Sequence, residues 1–139
     1  MKGWRGRILR VDLDRGSACP EPLSEELAGR FLGGRGLGVY WLYSEALGAE
    51  PLRPQNLVVL ATGPLTGTVA PGAGRITAVS RSPLTGTVCD SSAGGAFGVR
   101  LKHCGYDALI VRGRAPVPVY LEITPQEVRL EEAGDLWGL

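Results

Sequence analysis

The chain is 139 residues long, enough for one domain with its own core, and its 15 basic and 14 acidic residues leave a formal net charge of +1. So even a balance, with the basic residues dispersed, excludes recognition of nucleic acid or an anionic membrane through a general field. No apolar run reaches the ~20 residues of a membrane span and Met1-Lys2-Gly3-Trp4-Arg5 lacks the apolar stretch of a secretory leader, so a cytoplasmic protein is expected.

In chain order, Trp4 to Leu13 alternates, with Ile8, Arg10 and Asp12 on one face and Leu9, Val11 and Leu13 on the other. Asp14-Arg15-Gly16-Ser17 then closes a hairpin. Ser24 is placed to cap a short helix over Glu25 to Leu32, its first-turn acids suiting the positive end of the dipole; Gly33 and Gly34 are expected to end it. A second helix is predicted from about Leu37 to Leu47, with Gly48 as its left-handed stop.

Two strand-like runs follow, Leu57 to Leu60 and Ile76 to Val79, and each leads into the same five residues. Pro64-Leu65-Thr66-Gly67-Thr68 is repeated as Pro83-Leu84-Thr85-Gly86-Thr87, and Pro followed by Gly in this spacing suits a type I turn closed by a left-handed residue. Two similar strand-turn-strand units are therefore expected. Ala70 to Arg75 and Ser91 to Ala96 read as loops whose small side chains let a ligand approach the backbone. A helix from Gly94 to Cys104 and strands at Ala108 to Val111, Val117 to Ile123 and Val128 to Leu130 complete the chain. Strands outnumber helices and hairpins dominate, which predicts a single α+β domain over 1–139 with mainly antiparallel sheet.

The glycine-rich segments do not make a nucleotide site, because neither Gly34-Arg35-Gly36-Leu37-Gly38 nor Gly72-Ala73-Gly74-Arg75 completes G-x-G-x-x-G and no phosphate-binding Gly-Lys-Ser/Thr follows. Ser91-Ser92-Ala93-Gly94-Gly95 ahead of a helix offers backbone N–H groups as a generic anion site, against the plain alternative of a tight loop. Arg75, beside Gly72 and Gly74 at a strand mouth, has the planar fork to clamp a phosphate or is simply solvated, and Arg35, between glycines at a helix start, carries the same two readings. Lone His103 reads as a surface residue near a helix end, Asp107 as a turn former and Asp90 as a weak candidate. Cys19, Cys89 and Cys104 fit neither a disulfide framework nor a Cys-x-x-Cys metal site.

Longer stretches are specific. Gly3-Trp4-Arg5-Gly6-Arg7-Ile8-Leu9-Arg10-Val11-Asp12-Leu13, Phe31-Leu32-Gly33-Gly34-Arg35-Gly36-Leu37-Gly38, Ala61 through Pro71, Gly94-Gly95-Ala96-Phe97-Gly98 and Leu101 through Ala108 together resemble the N-terminal domain of the tungsten-containing aldehyde ferredoxin oxidoreductase family. The resemblance covers nearly the whole chain. It implies two β-sheets related by a pseudo-twofold axis, on which a tungsten or molybdenum bis-pterin with magnesium lies. By the same resemblance Arg75 contacts the cofactor and Ala93, Gly94 and Gly95 line it. Ser92 stands where the family often has Asn, whose backbone carbonyl helps hold the magnesium, a task a Ser carbonyl can also perform. The family's iron–sulfur ligands match none of the three cysteines and are expected in further domains. The whole enzyme would oxidise aldehydes to acids and pass electrons to ferredoxin, with this domain inactive alone. Partners expected are those remaining domains and further copies of the chain. The alternative is a non-enzymatic domain that keeps the fold for protein association.

Overall fold

Alternation in the first strand sets what lies on each side of the sheet. In this computed structural model, which describes residues 2–139, β1 (Arg7–Asp12) turns Ile8 to one face and Leu9 and Val11 to the other. β1 pairs antiparallel with β2 (Ser17–Pro22) through the expected hairpin. Pro20 and Pro22 fit there because β2 is an edge, where a missing N–H costs no ladder bond. On its other side β1 pairs parallel with β6 (Ala108–Arg112), which pairs antiparallel with β3 (Leu57–Ala61). β4 (Ile76–Arg81) and β5 (Val88–Ala93) extend the sheet, giving the order β2-β1-β6-β3-β4-β5. A two-stranded ribbon, β7 (Val119–Ile123) with β8 (Val128–Glu132), stands apart.

The architecture is α+β, with every pairing except β1 to β6 antiparallel. The two sheets are unequal, however, and the doubled Pro-Leu-Thr-Gly-Thr is not shared between them. Both copies flank β4: the first opens the long β3 to β4 connection, and the second forms the β4 to β5 hairpin, where Ser82 N–H donates to Thr87 O at 2.8 Å.

One face of the large sheet is covered by α1 (Glu25–Arg30) and α2 (Gly34–Ala46), whose Leu37, Trp41 and Leu42 pack on Ile8, Val59, Val79 and Ile110. The opposite face buries Leu9, Val11 and Ile76 under Leu101 of α3 (Ala96–His103), Tyr106 and the apolar side of the ribbon. α2 lies close to β4 because residue 38 is glycine; a Cβ there would run into Val79.

Three local expectations change. α1 ends at Arg30, because Phe31 is already extended, while Ser24 Oγ accepts from Leu27 N–H at 3.1 Å as foreseen. α2 starts at Gly34 rather than Leu37: Gly33, with φ of 88°, is its N-cap instead of the stop of the preceding helix. Ser91, Ser92 and Ala93, expected in a loop, belong to β5, all six residues of which are exposed. No apolar alternation marks that strand; the β4 ladder holds it.

Candidate functional site

The site is built at the end of β3. Buried Thr62 follows that strand, and its N–H and Oγ1 both donate to the backbone oxygen of Asp107, at 3.0 and 2.7 Å. Thr62 O accepts the Gly34 N–H at 2.9 Å, docking the start of α2 on the strand. Only glycine permits this approach, since a Cβ on Gly33 would strike Thr62 O and one on Gly34 would come within 3.2 Å of Thr77 Oγ1. Beside the contact opens a groove of about 410 Å³, walled by Gly33 and Gly34, by Gly63 to Thr66, by Ala70 to Ala73, and by Arg75 and Thr77.

Arg75 is exposed on this groove, and among the described residues its guanidinium has no hydrogen-bond or ion-pair partner. Ile76 pairs with Ala93, so Arg75 and Gly94 leave the β4–β5 ladder side by side. Gly74 also approaches Gly95: a Cβ on Gly74 would lie 3.2 Å from Gly95 O. The 70–75 loop and the bend at Gly94 and Gly95 therefore meet. Ser92 stands opposite Thr77 with hydroxyl oxygens 3.1 Å apart, but neither it nor Ala93, Gly94 and Gly95 lines the groove. Ser92 and Ala93 present strand backbone rather than the free N–H groups of a helix start, since α3 begins at Ala96 with Gly95 as its N-cap.

Arg35 is not in the groove; it makes an ion pair with Asp90 at 2.8 Å that ties α2 to β5. His103 is exposed in the last turn of α3. Cys19 and Cys89 are exposed free thiols and Cys104 is half-buried, and among the described residues no group of three or more His, Cys, Asp or Glu is placed to hold a metal.

Asp107, expected only to shape a turn, is fully buried and anchors the region. Its carboxylate accepts from the N–H of Arg5 at 2.9 Å, of Gly6 at 2.7 Å and from Lys102 Nζ at 2.9 Å. Lys102, 3% exposed, also donates to Gly3 O at 2.7 Å and lies over the Trp4 ring at 5.3 Å. Trp4 reaches the groove wall, within 3.1 Å of where a Cβ on Gly33 would sit. The sequence holds one signal of this: Lys102 shares a helical face with Gly98 and Leu101, where an ammonium without a partner would be costly.

Compared with known families, residues 8–139 match the model of the aldehyde ferredoxin oxidoreductase N-terminal domain. The chain belongs to this family. Within the aldehyde ferredoxin oxidoreductase family it is 45% identical over 139 residues to the tungsten-containing aldehyde ferredoxin oxidoreductase of Pyrococcus horikoshii, covering 99% of this chain and 23% of that protein. It is 41% identical to the WOR-like subunit of an aliphatic sulfonate oxidoreductase of Pyrococcus furiosus, covering all of this chain and 23% of the relative. In three dimensions it superposes on a chain of the active-site complex BamBC of benzoyl-coenzyme A reductase, solved with 1,5-dienoyl-CoA, with a TM-score of 0.95 and 35% identity over 99% of this chain and 21% of that one. The chain thus spans about a quarter of the length of these relatives.

Proposed function

We propose that this chain is the cofactor-binding base of a tungsten-dependent oxidoreductase, its groove receiving the phosphate side of a bis-pterin. The observation that carries this reading is Arg75, an unpaired guanidinium on a groove lined by glycine backbone, next to Gly94 and Gly95. The residues fit the group: a planar cation with two parallel donors suits a phosphate, and Gly33, Gly34, Gly63 and Gly72 in the walls let a flat heterocycle approach the backbone. In this reading Arg75 binds phosphate, Ala93, Gly94 and Gly95 line the cofactor, and the Ser92 carbonyl faces magnesium. When bound, such a cofactor supplies the two-electron oxidation of an aldehyde to an acid, with ferredoxin as acceptor, while the protein binds and orients it. Tungsten is favoured over molybdenum because the relatives named above include a tungsten-containing enzyme. The test is calorimetric titration of the chain with inorganic pyrophosphate. A charge-assisted hydrogen bond contributes about 1.5–3 kcal/mol, so Arg75→Ala should weaken binding by roughly one to two orders of magnitude while the melting temperature stays unchanged. Equal affinities overturn the reading.

Association is a second role with its own observation. Leu32 and Leu65, which line the groove, are 87% and 63% exposed, and Val69, next in sequence to Ala70 of its wall, is 105% exposed. Apolar surface clustered in this way belongs under a covering domain. The remaining domains of a longer oxidoreductase are the partner this supports.

A further inference from the structure

The duplicated motif performs two different tasks, and the difference falls on one hydroxyl. In the second copy the loop is closed by the residue before Pro83: Ser82 Oγ accepts from the N–H groups of Leu84 and Thr85, at 3.2 and 3.3 Å. Thr85 is exposed there, its Oγ1 only 2.9 Å from that of Thr87 at the hairpin tip. In the first copy the residue before Pro64 is Gly63, which has no side chain to close anything. Thr66 turns inward instead and is 7% exposed. Its Oγ1 accepts from the Gly63 N–H at 3.1 Å and donates to the backbone oxygen of Arg75 at 3.2 Å. Its methyl is seated by α3, since a Cβ on Gly98 would lie 3.5 Å from Thr66 Cγ2.

We infer that Thr66 is a positioning residue for Arg75: its hydroxyl fixes the peptide that carries the guanidinium and so sets how the groove presents its cation. This rests on the reading of the groove as an anion-binding cofactor site. Without the hydroxyl, Gly63 N–H and Arg75 O both lose a partner, and the turn before β4 is free to shift. A displaced cation binds an anion less well even though its charge is unchanged, because the fork must meet both oxygens at once.

The experiment compares wild type, Thr66→Val, Thr66→Ser, Arg75→Ala and, as the internal control in the second copy, Thr85→Val. Two readouts are taken: affinity for inorganic pyrophosphate, and amide chemical shifts and hydrogen exchange of the unliganded chain at Gly63 and Ile76, whose N–H follows the Arg75 carbonyl. Thr66→Val should bind pyrophosphate roughly fivefold more weakly, Thr66→Ser should restore affinity, and Thr85→Val should leave it unchanged. In the unliganded chain Thr66→Val should speed exchange at Gly63 and move the Ile76 amide, and Thr66→Ser should reverse both. Wild-type affinity in Thr66→Val overturns the inference. So does an unmoved Ile76 amide. If wild type and Arg75→Ala bind pyrophosphate equally, the groove reading fails separately, and the unliganded shifts alone decide whether Thr66 holds Arg75.

Discussion

Lys102 and Asp107 show how much one buried pair can decide. Each is almost wholly excluded from water, so removing either partner leaves the other charge uncompensated, at a cost of about 3–5 kcal/mol. Lys102→Met should therefore lower the urea midpoint sharply without a change in slope, and Trp4 fluorescence should report it because the ammonium lies on that ring. Asp12 stands at the other extreme, at the surface. Hydrogen bonding to the Arg112 guanidinium, with the Arg15 N–H adding to it, holds its carboxyl below the usual range. A depressed folded value means that the stability it lends is present above the ordinary carboxylate range and is lost as pH falls through the folded value. Asp12→Asn should therefore lower stability slightly at neutral pH and leave it unchanged below the folded value, so that the acid limb of a stability profile is flatter. Of the two, only the buried pair left a sign in the sequence, Lys102 on the helix face of Gly98 and Leu101; Arg112 and Asp12 are 100 residues apart, and nothing local announces that pairing.

Between elements, α2 approaches β4 closely at Gly38, where an added Cβ would run into the Val79 side chain. Gly38→Ala gains about 1 kcal/mol of helix propensity but forces a methyl into the buried Val79, where overpacking costs about 1–3 kcal/mol. The expected result is net destabilisation in chemical denaturation, reduced when Val79→Ala is combined with it; additivity of the two changes would refute the contact. Legibility at this scale follows burial. β1 and β6 were foreseeable because one face of each meets each apolar layer, so their side chains alternate or run apolar throughout. β5 was not, because Val88–Ala93 buries nothing and owes its form to the neighbouring strand. The start of α2 was hidden for another reason: Gly33 and Gly34 read equally as a stop or a beginning, and the choice is made by Thr62 O, a tertiary partner. For the candidate site, the openness of the Arg75 loop was readable from its small residues, whereas its place beside Gly94 depends on the β4–β5 register, and the inward turn of Thr66 was masked by a repeat that made it look like Thr85.

For the whole molecule, the exposed leucines and valine around the groove predict association of the isolated chain. Light scattering should give a mass above 14.7 kDa that rises with concentration, and a constant monomer mass would count against a covered face. The order of strands carries a further consequence. β6 is the last of the six to be made, yet it lies between β1 and β3 and is the strand that joins them. At a synthesis rate of about 5–20 residues per second, the amino-terminal hairpin leaves the ribosome roughly 5–20 seconds before the strand it needs, and the β3 to β5 meander also waits unjoined. The nascent chain is therefore two separate half-sheets until a single late segment inserts between them, and a ribosome halted before Ala108 should hold a chain that proteases still cut freely.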